Sequence, residues 1–404
     1  MFNRFKTALG LVLVVVTMIS GCNSDSSPEN TSSTLEIYID SATLPSLQHM
    51  VKIIDEQSGN KKLINWKRYP IDDELLLDKI NALSFSDTTD LTRYMESILL
   101  IGDIKRVVIN GNSLSNYNIV GVMRSINALG LDLDVEINFY DDGSAEYVRL
   151  YNFSQLPEAE RELLVSMSKN NILAAVNGIG SYDSGSPENI YGFAQIYPAT
   201  YHMLRADIFD TDLEIGLIRD ILGDNVKQMK WGQFLGFNEE QKELFYQLTS
   251  FNPDKIQAQY KESPNKNFVF VGTNSRSATA EQQINIIKEA KKLDSEIIPN
   301  SIDGYDLFFK GHPSATYNQQ IVDAHDMTEI YNRTPFEVLA MTSSLPDAVG
   351  GMGSSLFFSL PKTVETKFIF YKSGTDIESN ALIQVMLKLG IITDEKVRFT
   401  TDIK

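Results

Sequence analysis

After Ser33 the chain repeats one pattern: a short apolar run of strand length, a turn, then an amphipathic stretch with helical spacing. Residues 35–39, 63–66, 104–109 and 135–140 read as strands. Between them, residues 45–57 carry Leu47, Met50, Val51 and Ile54 at helical spacing, and a second helix follows Gly111-Asn112 to about residue 129. Strands that alternate with helices make a parallel sheet covered on both faces. The alternation restarts with strands at 268–271, 305–309 and 364–371 and a helix at 280–292. A helical, tyrosine-rich region at 156–251 separates the two halves. A last helix at 380–390 carries Leu382, Val385, Met386 and Leu389 on one face, and we expect it to cross back to the first lobe. The fold class predicted is α/β, with two doubly wound lobes and a cleft between them. We place the first lobe at 34–194, the second at 195–376 and the returning segment at 377–404. A chain of 404 residues is long enough for two such cores. Its net charge of -17 argues against nucleic acid as a partner, because phosphate binding needs a basic surface.

Residues 1–21 read as a targeting segment. Arg4 and Lys6 are followed by an apolar run too short for a comfortable membrane span. It ends in Ile19-Ser20-Gly21-Cys22, which looks like a bacterial lipobox, where cleavage frees Cys22 for lipid attachment. The alternative is a plain secretory signal with an incidental cysteine. Cys22 is the only cysteine, so no internal disulfide can form. Residues 22–33 are polar and serine-rich and read as a flexible tether. The expected location is the bacterial cell envelope, lipid-anchored to a membrane through Cys22.

Ligands of open parallel sheets bind beyond the carboxyl ends of the strands. Three strand ends there carry chemistry. The first is Phe308-Phe309-Lys310-Gly311-His312-Pro313, where an apolar strand runs into a basic turn that presents a histidine. The other histidines, His49, His202 and His325, have no such setting. His312 in that place can donate to a leaving phosphate, with Lys310 beside it facing the same anion. The second is Phe139-Tyr140-Asp141-Asp142-Gly143-Ser144. Adjacent residues alternate faces, so one aspartate enters the cleft while the other holds the turn. An acid so placed suits a general base, and a turn capped by aspartates is the plainer reading. Adjacent aspartates make poor co-ligands, so no metal is expected. The third is Val349-Gly350-Gly351-Met352-Gly353-Ser354-Ser355, a glycine-rich run opening an apolar helix. Its amides and the hydroxyls of Ser354 and Ser355 suit a phosphate, or else cap the helix. Glu337 starts another helix, where it either accepts two ribose hydroxyl bonds or simply favours the helix N-terminus. A carboxylate, an imidazole and a hydroxyl-rich loop make a kit for a transferase with a phosphate-bearing donor.

Taken in order, these segments resemble the bacterial sialyltransferases of glycosyltransferase family 80. The resemblance rests on Tyr140-Asp141-Asp142-Gly143-Ser144-Ala145-Glu146-Tyr147, Phe309-Lys310-Gly311-His312-Pro313 and Phe336-Glu337-Val338-Leu339. It continues through Leu345-Pro346-Asp347-Ala348-Val349-Gly350-Gly351 and Ser354-Ser355-Leu356-Phe357-Phe358-Ser359-Leu360-Pro361. It implies a GT-B fold of two Rossmann-like lobes, the first on the acceptor side and the second holding the donor CMP-Neu5Ac. It implies inverting, metal-independent transfer of N-acetylneuraminic acid to a galactose hydroxyl of a β-galactoside such as lactose, with no cofactor. Asp142 matches the family's general base, and His312 the histidine that assists CMP departure. Ser354 and Ser355 match its phosphate-binding serines, and Glu337 the acid on the ribose. Gly272, Thr273, Lys310 and Pro313 fall in the substrate-binding segments around the cytidine. Where some members carry tryptophan shortly after Gly272-Thr273, this chain has Arg276.

Overall likeness implies α-2,3 linkage, while Ala145 beside the aspartate turn leaves α-2,6 open. Two other readings stand beside this one. A solute-binding lipoprotein also has two α/β lobes and a cleft that closes on a small anion, but needs no acid and base across it. A transferase of the same fold using another nucleotide sugar is the second.

Overall fold

The computed structural model describes residues 33–403, apart from 181, 183–185, 212–221, 230, 300, 313, 332–333 and 373–375. Residues 1–21, Cys22, nearly all of the tether and Pro313 therefore lie outside the described residues.

Two parallel sheets carry the chain. The first contains β1 (Thr34–Asp40), β2 (Lys61–Trp66), β3 (Ala82–Ser84), β4 (Arg106–Asn112), β5 (Asp134–Tyr140), β6 (Ala199–Met203) and β7 (Val226–Gln228). Their order is β3-β2-β1-β4-β5-β6-β7, and every pairing is parallel. The second contains β8 (Asn267–Val271), β9 (Asp306–Lys310), β10 (Thr328–Ile330), β11 (Ala348–Met352), β12 (Glu365–Tyr371) and β13 (Val397–Phe399). Its order is β10-β9-β8-β11-β12-β13, again parallel throughout. Both orders reverse once, between β1 and β4 and between β8 and β11. At such a switch point the following loops turn to opposite faces and open a crevice.

Period-2 alternation explains how the second sheet is covered on both faces. In β8, Phe268 and Phe270 join a cluster with Ile286, Phe309 and Phe370 on one face. Val269 and Val271 face the other cluster, which continues into the first lobe through Phe357, Phe358 and Leu150. Tyr147 stacks on Phe358 with ring centroids 4.8 Å apart, so the lobes share apolar packing near the cleft.

The structure differs from expectation in four places. β6 and β7 belong to the first sheet, so the division falls after residue 228 rather than at 194/195. β6 is a five-residue strand within a region whose tyrosines and flanking helices read as helical. β3, β7 and β10 span three residues each, too few for any periodicity to register. β4 runs to Asn112, so Gly111-Asn112 end the strand instead of forming the turn. The last helix, Ala381–Lys388, does pack on helix Ser144–Ser154 of the first lobe, but the chain then returns and pairs β13 with β12.

Candidate active site

β1, β4 and β5 are neighbours, so their carboxyl ends deliver Asp40, Asn112 and the Asp141-Asp142 pair side by side. Asp141 is fully buried. Its carboxylate accepts from the main-chain N–H of Gly143 (2.8 Å), the main-chain N–H of Leu204 (2.6 Å) and the hydroxyl of Tyr147. Burial still pushes its pKa up to about 6. Tyr147 Oη in turn accepts the main-chain N–H of Arg205 at 2.7 Å. Asp142 takes the other direction and lines the cleft. Burial raises its pKa, while the Asn112 amide and the charges of Arg68 and Arg149 hold the rise in check. Such a carboxylate is a better proton acceptor than a solvated one. Gly143 has φ +85, which lets the chain double back into the next helix, and a Cβ there would lie 3.2 Å from Ser355 Cβ. The aspartate turn therefore sits against Ser355 of the other lobe. Glu146 is buried behind it, accepting from the hydroxyls of Ser113 (2.6 Å) and Tyr201 (2.5 Å), with burial pushing its pKa to about 7.

The second lobe supplies the opposite wall. Lys310 ends β9 almost fully buried; desolvation lowers its pKa to about 8, against the pull of Glu337 and Glu329. Gly311 follows because a Cβ would lie 2.4 Å from the Asn318 side chain. His312 then faces the cleft, partly buried, with burial first and Lys310 second lowering its pKa. Glu337, in helix Phe336–Met341, has its pKa raised by burial and held back by Lys310. Tyr69 of the first lobe lines the same space, and its buried hydroxyl has no hydrogen-bond partner among the described residues.

Asp142, Gly272, Lys310, His312, Glu337, Ser354 and Ser355 line one cavity of about 670 Å³. Thr273 does not; it is buried, its N–H bound to Gln283 and its carbonyl to Tyr317. Arg276 is exposed and outside the lining, and Ala145 is exposed at the start of helix Ser144–Ser154. Gly350 and Gly351 serve packing. Gly350 and Gly351 lie within β11, and a Cβ on Gly351 (φ +129) would meet Val271 O at 2.4 Å. The helix expected after it is a short 3-10 turn, Ser355–Ser359, whose Leu356 N–H is already taken by Ser354 Oγ at 3.4 Å. Ser354 and Ser355 themselves line the cavity. Sequence reasoning missed Ser41, Thr43, Arg68 and Tyr69, which also line the cavity. Each lies just past β1 or β2, so the strand-end rule that nominated Asp142 would have reached them too. A larger groove of about 1100 Å³ at the junction of the lobes contains none of the nominated residues. Among the described residues no group of three or more His, Cys, Asp or Glu could hold a metal ion.

A family model described as Sialyltransferase PMO188 matches residues 35–393. Among solved structures the chain is similar to an α/β-galactoside α-2,3-sialyltransferase from the luminous marine bacterium Photobacterium phosphoreum. They share 60% identity with a TM-score of 0.90, over 92% of this chain and 99% of that one. It is similar to a sialyltransferase from Photobacterium damsela at 31% identity and TM-score 0.80, over 91% of this chain and 81% of that one. It is also similar to a 2,6-sialyltransferase from Photobacterium sp. JT-ISH-224, solved with the donor product CMP and the acceptor substrate lactose. There the identity is 33% and the TM-score 0.79, over 91% of this chain and 78% of that one. No curated protein sequence matches.

Proposed function

The chain belongs to the sialyltransferase family, a group of GT-B glycosyltransferases, and we propose that it moves N-acetylneuraminic acid from CMP-Neu5Ac to the 3-hydroxyl of a terminal β-galactoside. The observation that carries this reading is one cavity with a raised-pKa carboxylate, Asp142, on one wall and His312, Ser354 and Ser355 on the other. Glu337 accepts the ribose hydroxyls. The two serines and His312 bond the phosphate. The bond from the anomeric carbon to the phosphate oxygen breaks, and the electron pair leaves with CMP. Because these donors stand ready in a half-buried site, charge on the departing oxygen is met without reorganisation. The galactose hydroxyl attacks from the opposite face, inverting the anomeric carbon, and Asp142 takes its proton. No metal and no cofactor takes part. The α-2,3 linkage is supported by the 60% identity to a protein of that printed specificity, against 33% to the 2,6 enzyme. We further propose that residues 1–21 are removed and that lipid on Cys22 anchors the enzyme to a membrane of the cell envelope.

The test is release of CMP from CMP-Neu5Ac in the presence and absence of lactose. Lactose-dependent release, with an α-2,3 sialoside identified by NMR, supports the proposal. CMP binding without turnover points instead to a solute-binding protein. Asp142→Ala should bind CMP and lose about 10²- to 10⁴-fold in kcat. Near-normal turnover in that variant would remove Asp142 from its role.

A further inference from the structure

The orientation of His312 is fixed by a residue that takes no part in the chemistry above. The main-chain N–H of Ser314 lies 3.1 Å from His312 Nδ1, and Ser314 Oγ lies 2.9 Å from the same atom. A main-chain N–H can only donate. An imidazole nitrogen that accepts such a bond uses its single in-plane lone pair and carries no proton of its own. The ring proton therefore sits on Nε2, the other nitrogen. The Ser314 hydroxyl can turn to donate to Nδ1 as well. A second ring proton, at Nδ1, would meet the N–H head-on and force the turn apart.

We propose that Ser314 is a positioning residue that holds His312 as the neutral Nε2–H tautomer, aimed at the donor phosphate, so that His312 assists CMP departure as a hydrogen-bond donor and keeps its proton. The inference rests on the reading of this cleft as the CMP-Neu5Ac site. The chemistry balances without a proton from histidine. The donor phosphate carries one negative charge before cleavage, and the departing oxygen keeps the bonding pair, so CMP leaves with two. A phosphate monoester of this kind has its second pKa near about 6 and needs no proton at neutral pH. The single proton released, from the acceptor hydroxyl, stays on Asp142. Among the charged groups that line the cavity with His312, Lys310 and Arg68 oppose an imidazolium, and Glu337 and Asp142 favour one; of these, Lys310 is the charge that acts on His312. The Ser314 contacts decide between these opposed pairs by occupying Nδ1.

The experiment is NMR of the enzyme labelled with ¹⁵N-histidine, with the His312 signals assigned by their absence in His312→Gln. The expected spectrum at neutral pH shows Nε2 protonated and Nδ1 bare, and CMP shifts Nε2. Ser314→Ala removes the hydroxyl and leaves the main-chain N–H. It should keep the tautomer, move His312 protonation to higher pH and lower kcat about two- to tenfold, the effect of one hydrogen bond. Ser314→Thr should restore both. In the wild type kcat should not fall as pH rises from 6 to 8, as it would if an imidazolium were the acid. A proton on Nδ1, an imidazolium at neutral pH, or a Ser314→Ala variant that titrates and turns over like wild type overturns the inference. If CMP shifts His312 but the tautomer is wrong, only this inference fails. If CMP leaves His312 unmoved, the reading of the cleft fails with it.

Discussion

Tyr147→Phe deletes one oxygen and tests how the base turn is held. The ring and its stack on Phe358 remain. Two bonds go: the phenol to Asp141, and the Arg205 main-chain N–H to the phenol at 2.7 Å. A buried N–H left alone costs about 1–3 kcal/mol, and a hydrogen bond to a charged group contributes about 1.5–3 kcal/mol. Together the loss is roughly 2.5–6 kcal/mol at alkaline pH, with Asp141 still held by Gly143 and Leu204. The pH dependence has a definite sign. Asp141 titrates at about 6 in the fold, above an unfolded value near about 3.9. Its protonation stabilises the fold in acid, and that contribution is lost as pH rises through 6. Removing a donor to the carboxylate raises the folded pKa further. The variant should therefore show mainly the Arg205 deficit at pH 5 and the full deficit at pH 8. Urea unfolding at both pH values reads this out. A loss below about 1 kcal/mol at pH 8, or an equal loss at both, refutes the argument, because a buried ionised Asp141 must then draw its stability from elsewhere. In catalysis, kcat should fall more than CMP affinity, since the turn aims Asp142 and does not hold the nucleotide.

Gly351→Ala should destabilise by about 3 kcal/mol or more, because its Cβ meets the Val271 carbonyl at 2.4 Å and φ is +129; thermal unfolding measures it. Gly121→Ala, in helix Tyr117–Leu129 with nothing within 4 Å of the new Cβ, should instead stabilise by about 0.5–1 kcal/mol. Activity should be unchanged by EDTA; loss restored by magnesium or manganese would overturn metal-free transfer. Deleting residues 1–33 should leave a soluble, active enzyme, and Cys22→Ser should leave the membrane fraction; a Cys22→Ser protein still in washed membranes counts against the lipid anchor.

The strand ends that carry Asp142, Lys310 and His312 were legible because each follows an apolar run of normal length, and a parallel sheet places its ligands there. β3, β7 and β10 were not, since three residues hold too little periodicity to separate a strand from a loop. Pairing to a long neighbour makes those strands, and the neighbour is remote in the chain. Arg68 and Tyr69 lie just past β2, within reach of the same strand-end rule, but went unnoticed because neither belongs to a motif.

The sequence by itself determined that there are two parallel-sheet lobes, and that one aspartate of the pair faces the cleft while its neighbour turns away. Both follow from local geometry, the crossover helix and the alternation of side chains. Tertiary structure decided which aspartate does which. Asp141 is captured by the Leu204 N–H, 63 residues away, and by Tyr147, and that capture leaves the cleft to Asp142. It also decided the meaning of the glycines. In sequence, the run from Gly350 to Ser355 suits a phosphate loop as well as it suits a helix cap. Val271 of the neighbouring β8, pressed to within 2.4 Å of where a Cβ would stand, makes Gly351 a packing residue. Spacing along a chain fixes directions, but only contacts between distant segments fix what lies in those directions.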